Sequence, residues 1–204
     1  MSTWKKVWDF LWKQDNIYSW IVNVLIAFIV IKYMVYPALG FVLGTPAPIV
    51  AVVSGSMEHD GNFDAFWSGE SCCNDACSQR LIQKNYYDSL NITDRMFRGF
   101  PFVNGFNKGD IMILYSPEKA EVGDVIVYIA NRPDPIIHRV INVENDEGRK
   151  LYWTKGDHNC DVGGFEQHIP EERVIGKAVW RVPFLGWVKI GAVWIWQVAT
   201  EGFR

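Results

Sequence analysis

Two serines, one histidine and two aspartates have the types and the order that acyl-transfer chemistry needs. Val53-Ser54-Gly55-Ser56-Met57 carries hydroxyls at i and i+2, which point the same way if the backbone is extended. Ser56 would attack a carbonyl while Ser54 donates toward the oxyanion, with the Ser56 backbone N–H as second donor. Gly55 between them lets a substrate main chain approach closely. Taken alone, a Ser-Gly-Ser triplet is more often a plain turn. A serine hydroxyl also needs a base to become a useful nucleophile. Of four histidines, His138 stands apart because it lies inside an apolar run, Pro135-Ile136-Ile137-His138-Arg139-Val140. A lone histidine in such a strand is more often a satisfied core residue. His59, in a polar stretch, and His158 and His168, in turns, read as surface residues. A third group should fix the imidazole tautomer. Thr154-Lys155-Gly156-Asp157-His158-Asn159-Cys160-Asp161 offers Asp157 and Asp161 directly after a strand, although Gly and Asn there also suit an ordinary turn.

These groups need an element to hold them, and the strongest physical signal is the segment upstream of them. Residues 17–43 contain a single charge, Lys32, and are long enough for a helix to cross a hydrocarbon core. Lys32 either snorkels along its stem or the span is 17–36, ending near Pro37. A removable secretory signal has a shorter apolar stretch and a small-residue cleavage site, so an anchor fits better. Lys5, Lys6 and Lys13 precede the span, and no Lys or Arg follows it until Arg80. The positive-inside rule then puts residues 1–16 in the cytoplasm and the chain after about residue 44 outside.

Downstream, Ile49–Val53 reads as a short strand. Residues 58–100 are polar, hold three of the four cysteines and show helical spacing around Asp75–Leu90, which suggests a partly helical insertion outside the core. From Gly109 onward, runs rich in Ile, Val and Tyr are separated by Gly, Pro, Asp and Asn turns. The strands expected there are Asp110–Tyr115, Asp124–Ala130, Ile136–Val143, Leu151–Lys155 and Val174–Val182, giving a mainly β, antiparallel body over 45–190. The apolar stretch 183–204 is broken by Lys189 and several Gly and Pro. It is read as interfacial or as a final strand, with a second span as the lesser alternative.

Ten tryptophans concentrate near the two ends, as suits membrane–water interfaces. The net charge of −3 and the absence of a basic stripe argue against a nucleic-acid partner. Cys72, Cys73, Cys77 and Cys160 permit three pairings, and an extracytoplasmic site favours disulfides over free thiols or a zinc site. Asn91-Ile92-Thr93 is a glycosylation triplet on the matching side, though such triplets recur by chance.

Ser54-Gly55-Ser56-Met57-Glu58, Gly123-Asp124-Val125-Ile126, Ile137-His138-Arg139-Val140, Lys155-Gly156-Asp157 with Asn159, and Ile175-Gly176-Lys177 follow one another in a familiar order. It is that of the conserved boxes of signal peptidase I, and the chain resembles that family over the anchor and roughly residues 45–57 and 105–190. Bacterial members place a lysine where this chain has His138, so the resemblance is to the endoplasmic-reticulum and archaeal branch; the short chain fits an archaeon better. A lysine base must be strongly desolvated to be neutral near pH 7, whereas an imidazole titrates there unaided.

The resemblance implies an all-β Ser-His-Asp endopeptidase that removes signal peptides from pre-proteins after small residues, without metal or organic cofactor. Its surroundings would be membrane lipid and the Sec translocon. Ser56 matches the nucleophile, His138 the base and Ser54 the oxyanion serine. Asp157 matches an aspartate of the Gly-Asp turn, and Asp161 is nearest to the later one that usually completes the triad, though its spacing is shorter and Gly163 stands where that residue would fall. Asp161 is therefore favoured over Asp157. His59 replaces a common proline, and the insertion has no counterpart role. Two other readings stand beside this one. One is a Ser-Lys peptidase using Lys108, Lys119 or Lys155; the other is an anchored, non-enzymatic β-domain that binds secreted chains.

Overall fold

The computed structural model describes residues 3–14, 16–72, 78–132, 134–188, 190, 191, 194 and 198. The chain divides into two units, residues 1–46 and 47–204. In the first, α1 (Thr3–Lys13) is followed by α2 (Ile17–Val30), whose start is capped by Asn16 accepting from the Ser19 N–H. Ser19 and Asn23 donate back to the Phe10 and Leu11 carbonyls, tying the two helices together. The helix then runs on through a π-helical turn, Ile31–Val35, into α3 (Tyr36–Leu43), and stops at Gly44 in the left-handed region. Pro37 explains the π turn. Proline lacks the N–H for an interior helix bond and its ring crowds the preceding carbonyl, and a widened turn absorbs both faults. The helix passes through Pro37 rather than ending there. Ile17–Leu43 is the one helix among the described residues that is long and apolar enough to cross a membrane.

The second unit is built on a seven-stranded antiparallel sheet in the order β1-β4-β9-β5-β6-β7-β8. Its strands are β1 (Ile49–Ala51), β4 (Ile111–Tyr115), β5 (Val125–Tyr128), β6 (Ile136–Asp146), β7 (Arg149–Lys155), β8 (Ile169–Pro170) and β9 (Val174–Val182). Each of the five strands expected after Gly109 is present, with β5 shorter and β6 and β7 longer than the sequence suggests. Strand β1 stops at Ala51, and Ser54–Met57 is a turn rather than extended chain.

The sheet is covered on both faces, which its strand alternation makes visible. Along β5, Val125 and Val127 face one apolar cluster with Met57, Phe106 and Leu114, while Ile126 and Tyr128 face another with Val140, Tyr152 and Ile169. All four β5 residues are buried. Strand β6 follows the same rule, so consecutive residues His138 and Arg139 leave the sheet in opposite directions. That alternation decides which acid each can meet.

The insertion is not a loose polar appendage, as its composition suggests. It contains α4 (Phe63–Ser68), the small β2–β3 hairpin (Ser71–Cys72 and Arg80–Leu81), α5 (Gln83–Ser89) and α6 (Asp94–Phe97). The helix expected over 75–90 is confined to 83–89, and residues 73–77 lie outside those described. Phe63, Phe66, Trp67, Tyr87, Ile92 and Phe97 form a third buried cluster that closes on Ile141 of β6. Their rings stack or tilt against one another at centroid distances of 4.9–6.3 Å. Packing this tight accounts for a segment whose polar residues outnumber its apolar ones. Cys72 and Cys160 are each part of a disulfide. Beyond β9, residues 187, 188, 190, 191, 194 and 198 are helical rather than strand, and most of the other residues there lie outside those described.

Candidate active site

Ser56 sits in the turn after β1, where Glu58 N–H bonds Gly55 O and the buried Met57 anchors the chain. Met57 O accepts from the Phe106 N–H, and Ser56 O accepts from the His158 N–H of the loop that follows β7. The Ser56 backbone is thus pinned from two sides. Its hydroxyl lies 3.0 Å from His138 Nε2 and 3.2 Å from Ser54 Oγ. Ser54, Ser56 and His138 therefore come together although the serine segment is a turn. They line an open cleft of about 460 Å³ whose other walls include Ala51, Val53 and Ile137.

His138 is only 5% exposed, in the middle of β6 opposite Ile126. Its Nδ1 lies against Glu166 Oε1. Glu166 ends a 3-10 turn, Gly164–Glu166, and the Gly163 N–H donates to its Oε2 at 2.6 Å. An acceptor at Nδ1 places the proton there and leaves Nε2 free to accept from the Ser56 hydroxyl.

Neither aspartate expected from the sequence meets His138. Asp161 is exposed and makes no hydrogen bond or ion pair with it. Asp157 is fully buried on the Arg139 side of β6, and the alternation of that strand is the physical reason. Arg139 reaches it with Nε at 2.9 Å and Nη2 at 2.7 Å, His59 Nε2 lies 2.9 Å from it, and the Tyr87 hydroxyl donates at 3.0 Å. Burial alone would raise the Asp157 pKa, but the Arg139 guanidinium and the His59 hydrogen bond outweigh it and hold the carboxyl well below the usual range. Arg139 spends its remaining donors on the Pro101, Gly123 and Phe102 carbonyls.

His59 is a correction as well. It is not a surface residue: its side chain is wholly buried, stacked on Phe66 and turned onto Asp157. The polar neighbours Glu58, Asp60 and Gly61 hid this, because the burying groups come from the insertion and from the loop after β7. His158 is half-buried, and His168 is exposed near Glu144.

Lys155, one candidate for a lysine base, is fully buried but points elsewhere. Its Nζ donates to Gln83 Oε1 at 2.8 Å and to the Gly156 and Asp157 carbonyls. Burial pushes its pKa down to about 7. No hydrogen bond links it to Ser56 among the described residues. Glu166, beside His138, is a site residue that sequence reasoning missed. Its signal was local: Gly163-Gly164-Phe165-Glu166 has the spacing at which a carboxylate folds back on its own turn.

No family model matches the chain. It is 28% identical to the signal peptidase complex catalytic subunit SEC11 of Yarrowia lipolytica over 167 residues, covering 78% of this chain and 71% of that protein. The protein of the same name from Plasmodium falciparum is 36% identical over 98 residues, 45% of this chain and 52% of that one. That of Scheffersomyces stipitis is 26% identical over 166 residues, 78% and 73% of the two chains.

Proposed function

We propose that this chain, which is similar to signal peptidase catalytic subunits, is a membrane-tethered serine endopeptidase that removes N-terminal signal peptides from secreted pre-proteins. The observation that carries the mechanism is the 3.0 Å contact between Ser56 Oγ and His138 Nε2 beside a cleft. His138 takes the hydroxyl proton as Ser56 attacks the scissile carbonyl, and gives it to the amine of the leaving mature chain. Water, deprotonated by the same imidazole, then releases the signal peptide from Ser56. Ser54 Oγ, 3.2 Å from Ser56 Oγ, and the Ser56 N–H would serve as donors to the developing oxyanion. Ala51, Val53 and Ile137 leave an apolar cleft suited to small residues before the cut.

Lys5, Lys6 and Lys13 ahead of the apolar helix support a cytoplasmic N-terminus, with residues from about 45 onward outside or in the lumen. Signal-peptide-bearing chains, membrane lipid and the Sec translocon are then the partners, and the names of the relatives add further subunits of a complex. The test is incubation of the full chain in detergent with a pre-protein bearing small residues at P1 and P3. Wild type yields the mature chain with one new N-terminus and Ser56→Ala yields none. Equal cleavage by both would defeat the assignment.

A further inference from the structure

We propose that Glu166, rather than an aspartate, is the positioning carboxylate of His138, and that Asp157 has been diverted to hold the insertion against the sheet. This rests on the peptidase reading above. Three independent observations converge on it. Glu166 is 1% exposed although its side chain is ionisable, and its Oε1 meets His138 Nδ1. Its second oxygen is occupied by the Gly163 N–H of its own turn, which fixes the carboxylate rather than leaving it to rotate. Phe165, the preceding residue, lines the substrate cleft, with the Arg132 guanidinium over its ring. One short turn therefore presents a residue to the substrate and the next to the base.

The competing carboxylates are accounted for. Asp157 receives donors from Arg139, His59 and Tyr87, which fill the acceptor sites of both its oxygens. Two of those donors belong to the insertion, so the diverted aspartate and the extra segment explain each other. Gln83, also of the insertion, adds ties to Lys155 Nζ and to the Asn159 carbonyl. Asp161 is exposed. Glutamate is one methylene longer than aspartate, and that reach lets a residue further along the loop occupy the place beside Nδ1. When His138 accepts the Ser56 proton, Glu166 is the carboxylate in contact with the resulting imidazolium.

The test measures kcat, KM and pH profiles for the full chain in detergent on a pre-protein substrate. Among the described residues, the charged and titratable groups around His138 are Glu166 from the 3-10 turn, Arg132 and Asp134 lining the same cleft ahead of β6, Lys155 and Asp157 from β7 and its loop, Arg139 from β6, and His59 behind Asp157. Glu166→Gln should lower kcat by about 10²–10⁴-fold, with KM within about threefold and the circular dichroism retained. Its acid limb should also move to lower pH by about one unit, because the neighbouring negative charge is gone. Glu166→Asp should recover at least about tenfold of the lost kcat. Asp161→Asn should stay within about twofold of wild type. A wild-type kcat in Glu166→Gln overturns the proposal, as does a loss of about 100-fold in Asp161→Asn, which remains decisive if Glu166→Gln does not fold. An unshifted acid limb would reduce Glu166 to a merely structural residue. Failure of the wild-type chain to cleave would instead sink the peptidase assignment, so the two failures are distinguishable.

Discussion

Lys155→Met should flatten the dependence of folding stability on alkaline pH. The wild-type ammonium is fully buried between the Tyr86 and Tyr87 rings, at 5.0 and 5.2 Å, and burial lowers its pKa from 10.5 to about 7. In the unfolded chain the group keeps its proton up to its ordinary range. Between about pH 7 and 10.5 the unfolded state therefore binds more protons than the folded state, and stability rises with pH. Below pH 7 both states are protonated and the full penalty for burying the charge is present. Each pKa unit corresponds to about 1.4 kcal/mol, so the window from pH 7.5 to 9.5 should contribute roughly 2–3 kcal/mol. Tyr87 and Tyr128, whose pKa values burial raises, act in the opposite sense only above about pH 10, and they are common to both proteins. The assay is urea unfolding of wild type and variant in the same detergent, at half-unit pH steps. Identical slopes over that window would refute the reasoning, because they would mean that Lys155 is charged in the folded protein.

Two further outcomes follow from the site. Ser54→Ala should lower kcat by about 10²–10³-fold with little change in KM, as expected when one oxyanion donor is lost; steady-state kinetics checks it. Asp157→Asn should destabilise the protein by about 3–5 kcal/mol, since it leaves the buried Arg139 charge uncompensated. Because the Asp157 carboxyl is held well below the usual range, its contribution is present above the ordinary carboxylate pKa. It is lost progressively as pH falls from that ordinary value toward the lowered one, so the stability of wild type should fall with pH below about 4, and that of the variant should lack this component.

The sheet was legible in the sequence because its strands are short β-branched runs with turn residues between them, and Val174–Val182 is the strand predicted, to the residue. Ser56 and His138 were legible as a pair only through the order of several boxes. What stayed hidden depends on contacts between distant segments. The polar look of residues 58–100 concealed a core of six aromatic and aliphatic side chains, because they are spread over three short helices and the turn before α6 rather than one periodic run. His59 was misplaced for the same reason. The sequence points to an aspartate beside His138, whereas strand alternation turns Asp157 to Arg139 and the Gly163–Glu166 turn brings a glutamate inward. The π turn ahead of Pro37 is likewise a local remedy that periodicity does not announce.

The central claim is that His138, and not the buried lysine beside it, activates Ser56. Cleavage of a pre-protein by His138→Ala and Lys155→Met, compared side by side with wild type at pH 7.5, tests it most directly. The account predicts that His138→Ala loses at least about 10³-fold in kcat/KM while staying folded, and that Lys155→Met remains within about tenfold of wild type. The reverse pattern, with Lys155→Met inactive and His138→Ala near normal, would contradict it.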